Sequence, residues 1–450
     1  MKNKGIPKMP VAIFSILPLS VVMSNKTSRR HAIIKALGIT ALAILILVEI
    51  VDSAPFVYVT NMGTNTGTVS IIDIATNKVI ANVSLGRGSW GVAVSPDEKV
   101  YVTNSGSDTV SVIDTVTNKV IATLNVGEYP QGVAVTPDEK EVYVTNYASN
   151  TVSVINATTN EVTASVPVGR RPRGVAVIPD GTKAFVVSSG GDSTNWAGTV
   201  SVIDTTTNSV ATTINTGNNS LAIAVSPDGN KVYVVNSNIY IDSEGTISVI
   251  DTATNTVTSK VHVGCNPYGI AVSPDGKRVY VTIQSPGISP PTGAIDVIDT
   301  ATNNVTVTIK VGSAPCGITI TPDGNKVYVA NYGGDSTNWA GKVYVIDTAT
   351  NNVTDTINVG FHPFGVTCGQ FTGIVTRSNS TIESNSTLFL DSVNVTENQT
   401  NNTGMTENVE TVVKQERKSN TQKSKSVPFM SSILILAIVL EAIKYVRKTK

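Results

Sequence analysis

The chain is short of charge. Of its 450 residues, 15% are Asp, Glu, Lys or Arg, against about 25% in ordinary globular domains. The 33 basic residues are balanced by 33 acidic ones, so the formal net charge is zero. No global field therefore marks a nucleic-acid binder, and no nucleic-acid partner is expected. Cysteine is scarce too. Three residues, an odd number, exclude disulfides as the main staple of the fold. There are three histidines, His31, His262 and His362, and no c-type haem attachment motif. So few imidazoles, scattered and without a carboxylate cluster, are poor material for a metal centre or an acid–base site.

What is present is apolar and β-forming. Apolar residues reach 41%, enough for a sizeable core. Val and Thr, which favour strands, dominate the middle of the chain together with Asn, Ser and Gly, which favour turns. No helical periodicity interrupts this region.

The ends read differently. Residues 1–54 carry Arg29, Arg30 and His31 before an apolar run over 32–51, then the small residues Ser53 and Ala54. That order predicts an export signal. Residues 23–54 alone have the proportions of a signal peptide, which leaves Met23 open as a second start. An uncleaved N-terminal anchor, and a twin-arginine signal from "SRRHAII", stay open beside it. Residues 427–446 form one membrane-spanning length, followed by a basic tail, 447–450. A buried soluble helix is the alternative, weakened by the polar sequence before it. With an export signal in front, the folded part is expected outside the cell and the tail inside. Residues 371–426 are polar and rich in Ser, Thr and Asn, as in a disordered stalk. Asn379, Asn385, Asn394, Asn398 and Asn401 each open an N-glycosylation sequon there.

Between residues 55 and 370 the chain repeats. The Tyr or Phe of "VYVTN" and its near copies falls at Tyr58, Tyr101, Tyr143, Phe185, Tyr233, Tyr280 and Tyr328. A period in the forties belongs to solenoids and propellers. One unit, "GVAVTPDEKEVYVTNYASNTVSVINATTNEVTASVPVG" from Gly132 to Gly169, reads as four short strands, a to d, joined by turns. Strand a is apolar almost throughout, as a strand buried on both faces should be. The fold class predicted is all-β: a seven-bladed β-propeller of four-stranded blades. The first repeat lacks strand a, and "FGVTC" at 364–368 stands alone after the seventh. That last strand is expected to complete blade one and close the ring.

This repeat resembles the YVTN family of β-propellers, found notably in archaeal surface-layer and cell-surface proteins. The residues that carry the resemblance are the VYVTN strands, "SVIDTATN" (Ser248 to Asn255 is one copy) and "GVAVSPD" (Gly91 to Asp97), over about 315 residues. The resemblance implies the fold and an envelope setting, and says little about activity. Similar propellers that serve as lactonases, lyases or redox-cofactor subunits imply an enzyme alternative.

Strand a should line a central channel, and the predicted channel strands contain no His, Asp or Glu. At its mouth, equivalent positions carry Trp90, Gln131, Arg173, Leu221, Tyr268, Cys316 and Phe364. Trp90, Gln131, Arg173, Tyr268 and Phe364 are the candidate binding residues: aromatics beside an Arg could hold a sugar or a peptide. The other reading is a plug of side chains capping the channel. Long b–c loops in blades four to seven, with "GGDSTNWAG" written twice, offer Trp196 and Trp339 as further contacts. Repeated Asp residues in the turns, such as Asp138 and Asp251, read as turn caps with no metal-ligand spacing. Cys265 and Cys316, in neighbouring d–a loops, allow a disulfide, and Cys368 reads as a buried thiol. Sequons at Asn82, Asn156, Asn218, Asn304 and Asn352 fall on outer strands or turns.

The expectation is a non-enzymatic, membrane-tethered cell-surface protein that binds envelope proteins or glycans, with no cofactor and no metal. A propeller enzyme acting at the channel mouth, and an adhesin using the long b–c loops, are the alternatives.

Overall fold

The structure, a computed structural model, describes residues 56–369 apart from 98, 192–195, 238–243, 285–292 and 333–339. The chain divides into two units, Met1–Thr376 and Arg377–Lys450, and all the described residues belong to the first. The predicted export signal, stalk and C-terminal helix lie outside the described residues, as do Trp339, Asn379, Asn385, Asn394, Asn398, Asn401 and much of the long b–c loops. Among the described residues no helix is long and apolar enough to cross a membrane.

Seven antiparallel sheets of four strands each make the ring, as the repeat predicts. Blade three is typical: strand a Pro130–Val135, b Glu141–Asn146, c Thr151–Asn156 and d Glu161–Pro167. Blade one is assembled from both ends of the described chain. Its strands b, c and d are Phe56–Asn61, Thr68–Asp73 and Lys78–Ser84, and its strand a is Pro363–Gly369. That closing strand pairs with Phe56–Asn61 in the register Val57↔Cys368 and Val59↔Val366. Phe56–Asn61 is thereby paired on both sides, as strand b is in the other blades.

The wording of VYVTN has a separate cause at each letter. After its first residue strand b is buried in every blade, in the pattern BBBBB. The Tyr, or Phe185, is at most 1% exposed, and full burial of such a ring stabilises by roughly 2–3 kcal/mol. The valines pack against the next blade: Val57 and Val59 share a cluster with Tyr328, Val343 and Val345 of blade seven.

The Thr is a latch between blades. Thr60 Oγ1 donates to the Trp90 carbonyl at 2.6 Å, Thr103 to Gln131 at 2.7 Å, Thr145 to Arg173 at 2.6 Å and Thr282 to Cys316 at 2.8 Å. Each acceptor belongs to the following blade. The same hydroxyl accepts from a strand-a N–H of its own blade, such as Gly132 N on Thr145 at 2.8 Å. The Asn ties strands b and c. Asn104 Nδ2 donates to Thr109 Oγ1 and Ser111 Oγ at 3.1 and 2.9 Å, and Asn61, Asn146 and Asn236 do the same in their blades. The Thr hydroxyl and the Asn amide N–H groups, both buried, thus find partners that the repeat itself supplies.

One expectation is corrected here. Strand a is not the strand buried on both faces. Its residues are mostly half-buried, in patterns such as BiiiiiB and BBiiii, because one face looks into the channel. Strand b takes the doubly buried place, between strands a and c and between two blades.

The turns follow the sequence closely. At the ends of strands c, backbone N–H groups three residues on donate to the Asp carboxylates, as Thr254 N does to Asp251 at 2.7 Å and Thr302 N to Asp299 at 2.8 Å. Asn156 takes this role in blade three, accepting from Thr158 N and Thr159 N. The a–b turn carboxylates accept likewise, Asp180 from Thr182 N at 2.9 Å and Asp228 from Asn230 N at 3.1 Å. These hydrogen bonds hold Asp138, Asp180, Asp228, Asp251, Asp275, Asp299 and Asp347 below the usual carboxylate range.

Candidate functional site

Strand a places the mouth residues by a defect in its pairing. In every blade the register with strand b slips by one residue at this point, for example between Pro130 and Val133 and between Ser89 and Val92. The bulge holds the mouth residue and the residue after it: Trp90–Gly91, Gln131–Gly132, Arg173–Gly174 and their equivalents. A β-bulge re-aims a side chain, and seven of them turn seven side chains toward the axis. The glycine is needed for space. A Cβ on Gly91 would collide with the Gln131 carbonyl oxygen, and one on Gly365 with that of Trp90. Neighbouring channel strands meet closest here.

The approach to each bulge is also repeated. The residue two before the mouth residue accepts a hydrogen bond from the N–H that follows strand b, as Gly88 O does from Ser105 N at 2.9 Å and His362 O from Met62 N at 3.1 Å. Six of these seven positions have left-handed φ: Gly88, Tyr129, Arg171, Asn219, Asn266 and His362. For Tyr129, Arg171 and His362 that backbone is costly, on the order of 1 kcal/mol or more. It sets three large side chains upright on the mouth face.

Together the seven strands a enclose a cavity of about 230 Å³, whose rim is formed by Trp90, Gln131, Arg173, Leu221, Tyr268, Cys316 and Phe364. All five candidate mouth residues thus meet at one cavity. The rim has two halves. On one side the Trp90 and Phe364 rings pack at 4.0 Å between centroids, and Tyr268 meets Phe364 edge-on at 5.4 Å. Burial pushes the Tyr268 phenol above its ordinary range. On the other side stand Gln131 and Arg173. Gln131 is only 3% exposed. Arg173 Cζ lies 5.0 Å from the Tyr147 ring centre, and its Nε is buried with no hydrogen-bond partner among the described residues. Among the described residues the lining contains no carboxylate and no histidine, and Arg173 is its only formally charged group.

Around the rim runs a belt of rings that the sequence reading missed. Tyr129 packs on Trp90 at 6.3 Å and on Tyr147 at 5.8 Å. Tyr332 stacks on His362 at 4.7 Å and meets Phe364 at 6.3 Å. Arg171 Cζ lies 5.0 Å from the centre of the Trp196 ring and 5.9 Å from that of Tyr147. Trp196 is therefore held by a cation–π contact. Tyr147 and Tyr332 occupy the position just after strand b, where blade two has Ser105. A lone aromatic at that repeat position was the signal available. The aromatic half of the rim and this belt join into one arc from Tyr268 through Phe364, Trp90 and Tyr129 to Tyr147.

The Cys265–Cys316 disulfide is corrected. Cys265, Cys316 and Cys368 are all free thiols. Cys316 is the mouth residue of blade seven, whereas Cys265 ends strand d of blade five, three residues before Tyr268, the mouth residue of blade six. The Cys316 thiol donates to Ala314 O and accepts from Gln284 Nε2, both at 3.4 Å. Burial pushes it, and Cys368, up to about 12, so neither is a thiolate at neutral pH. Among the described residues no group of three or more His, Cys, Asp or Glu converges as a metal-binding set would. Of the sequon residues described, Asn82, Asn218, Asn304 and Asn352 are exposed and Asn156 is half-buried.

Comparison with known proteins agrees on the fold. Residues 90–191 match the YNCE-like beta-propeller family. No curated protein matches the chain. Among solved structures, the chain is similar to Kuenenia stuttgartiensis hydrazine synthase, at 22% identity and a TM-score of 0.55, over 63% of this chain and 95% of that one. It is similar also to a functionally unknown protein from Desulfotomaculum acetoxidans, at 17% identity and a TM-score of 0.53, over 70% of this chain and 99% of that one. The likeness is one of fold. At these identities it assigns no chemistry to the channel mouth.

Proposed function

We propose that this chain is a non-enzymatic binding platform of the cell envelope. Its propeller stands outside the cell, on a glycosylated stalk anchored by the apolar segment at 427–446. The observation that carries the binding role is the divided rim: an aromatic wall of Trp90, Phe364 and Tyr268 beside Gln131 and an Arg173 whose Nε has no hydrogen-bond partner among the described residues. Stacking surfaces beside a few polar groups are the materials of a recognition site. They are poor materials for proton transfer, because the lining offers neither carboxylate nor imidazole. The envelope setting is supported by the sequence at both ends, by the sequons and by the YVTN-like wording of the repeat.

The test is binding to a panel of envelope glycans and surface proteins from the native cell. Saturable binding lost on Trp90→Ala or Tyr268→Ala supports recognition at the mouth. Binding that survives both but is lost on removing residues 190–198 and 333–341 moves recognition to the loops. Protease treatment of intact cells tests the placement: the propeller should be accessible from outside, with a short C-terminal fragment protected.

A further inference from the structure

We infer that the channel mouth takes a ring-sized ligand bearing one carboxylate, with Arg173 and Gln131 holding the carboxylate and the Trp90–Phe364–Tyr268 wall covering the ring. The inference rests on the binding role above and names the ligand class of that same site.

Charge comes first. A buried cation without a partner is costly, and a folded protein keeps one chiefly where something completes it. Arg173 is half-buried, and one of its donors meets that condition. Its Nε is buried without a partner, and no ion pair engages it among the described residues. The Tyr147 ring lies 5.0 Å from its Cζ. A ring contact of this kind uses no N–H donor in a hydrogen bond, and a guanidinium fork suits a two-oxygen anion. Arg171, over the same tyrosine at 5.9 Å, adds positive potential at the rim. Gln131 adds a donor. It is 3% exposed and lines the cavity. A guanidinium with an orphaned Nε and a side-chain amide, on adjacent blades at one cavity, together suit an acceptor.

Size and shape come next. The cavity of about 230 Å³ lies below the roughly 300–1,000 Å³ of sites for drug-sized ligands. It suits one six-membered ring. Trp90 and Phe364, 4.0 Å apart and tilted by 46°, present a continuous apolar surface. Such a surface covers the C–H face of a pyranose or the face of an aromatic acid equally well. The ring-borne carboxylate therefore has two sources, a uronic acid residue of an acidic glycan or a free aromatic acid.

The test is calorimetry and tryptophan fluorescence on the full chain in detergent micelles, with glucuronate, glucose and benzoate as probes. Glucuronate or benzoate should bind, and glucose at least about tenfold more weakly, since a charge-assisted hydrogen bond is worth roughly that factor or more. Arg173→Gln should remove the preference for the acid. Arg173→Lys should restore part of it, and Gln131→Met should weaken it with the charge intact. Unchanged near-ultraviolet circular dichroism keeps the variants interpretable. Tighter glucuronate than benzoate assigns the site to acidic glycans, and the reverse assigns it to aromatic acids. Glucose equal to glucuronate, with binding still lost on Trp90→Ala, overturns the carboxylate inference and leaves the binding platform standing. Probe binding unchanged by both Arg173→Gln and Trp90→Ala overturns the inference and moves recognition away from the mouth.

Discussion

Thr145→Val is the sharpest test of how this ring holds together. The change keeps the shape of the side chain and removes one hydroxyl. In the native protein that hydroxyl is fully buried. It donates to the Arg173 carbonyl at 2.6 Å and accepts from Gly132 N at 2.8 Å. The variant leaves both backbone groups in place at a closed interface, with nothing to bond. A buried group stranded in this way costs about 1–3 kcal/mol. The new methyl recovers roughly 1 kcal/mol of burial. With two groups stranded, the net expectation is a loss of about 3 kcal/mol. For a domain of this size that is a fall in Tm of roughly 4 °C, read by circular dichroism or calorimetry. The same substitution should weaken ligand binding at the mouth, because the lost acceptor is the main chain of Arg173. The substitution Val235→Thr runs the argument backwards, since blade five has Val235 in the latch position. A Tm unchanged within 1 °C for Thr145→Val would refute the latch. It would assign cohesion between blades to apolar packing alone.

Three further outcomes follow from the same geometry. The turn carboxylates titrate below the unfolded value near 3.9, with Asp138 lowered to about 2 by the Thr136 hydroxyl and by Lys140. The stability they supply is therefore complete above about pH 4 and is lost as the pH falls toward 2; Tm should drop across that window and drop less when Asp138, Asp180, Asp228 and Asp275 are changed to Asn. Thiol titration at pH 8 should find three free thiols in denaturant. Without denaturant, Cys316 and Cys368 should react slowly, and reducing agent should leave Tm unchanged. Deleting residues 363–370 strips Phe56–Asn61 of its partner and should yield a chain that associates or unfolds at least about 10 °C earlier, seen by gel filtration and thermal melts.

The ring was legible because its period, strand count and missing first strand are all written in the repeat. The VYVTN tyrosines, the PDG and TATN turns and the closing FGVTC are found where the wording puts them. The burial order was less legible. Thr and Asn in strand b are polar letters beside apolar ones, yet Thr103 and Asn104 are fully buried. Their partners are on another blade and another strand, and a linear pattern does not show them. The bulges left one trace, the glycine that follows six of the seven mouth residues inside an otherwise apolar strand. The aromatic belt left less. Tyr129, Tyr147 and Tyr332 stand alone in variable loops, and only the ring geometry brings them to Trp90 and Phe364. The Cys pairing failed for a related reason. Two cysteines in neighbouring loops are close in repeat phase, but Cys316 has turned into the channel rim while Cys265 ends an outer strand.

A repeat builds symmetry, so recognition has to come from the places where the copies differ. The latch is one such place. Thr60, Thr103 and Thr145 pin the carbonyls of Trp90, Gln131 and Arg173 in three successive blades. Blades four, five and seven carry Val187, Val235 and Ala330 instead, which leaves the main chain of Leu221, Tyr268 and Phe364 without this bond. The pinned run is the one that holds the polar half of the rim and the first ring of its wall. A cation that must meet a carboxylate in two-point geometry gains from a backbone fixed to a few tenths of an ångström. The pinned carbonyls thus include those of both polar rim residues, Gln131 and Arg173, together with those of Trp90 and Cys316. Fixing the main chain of both polar residues is what a site that holds a charged group in two-point geometry requires.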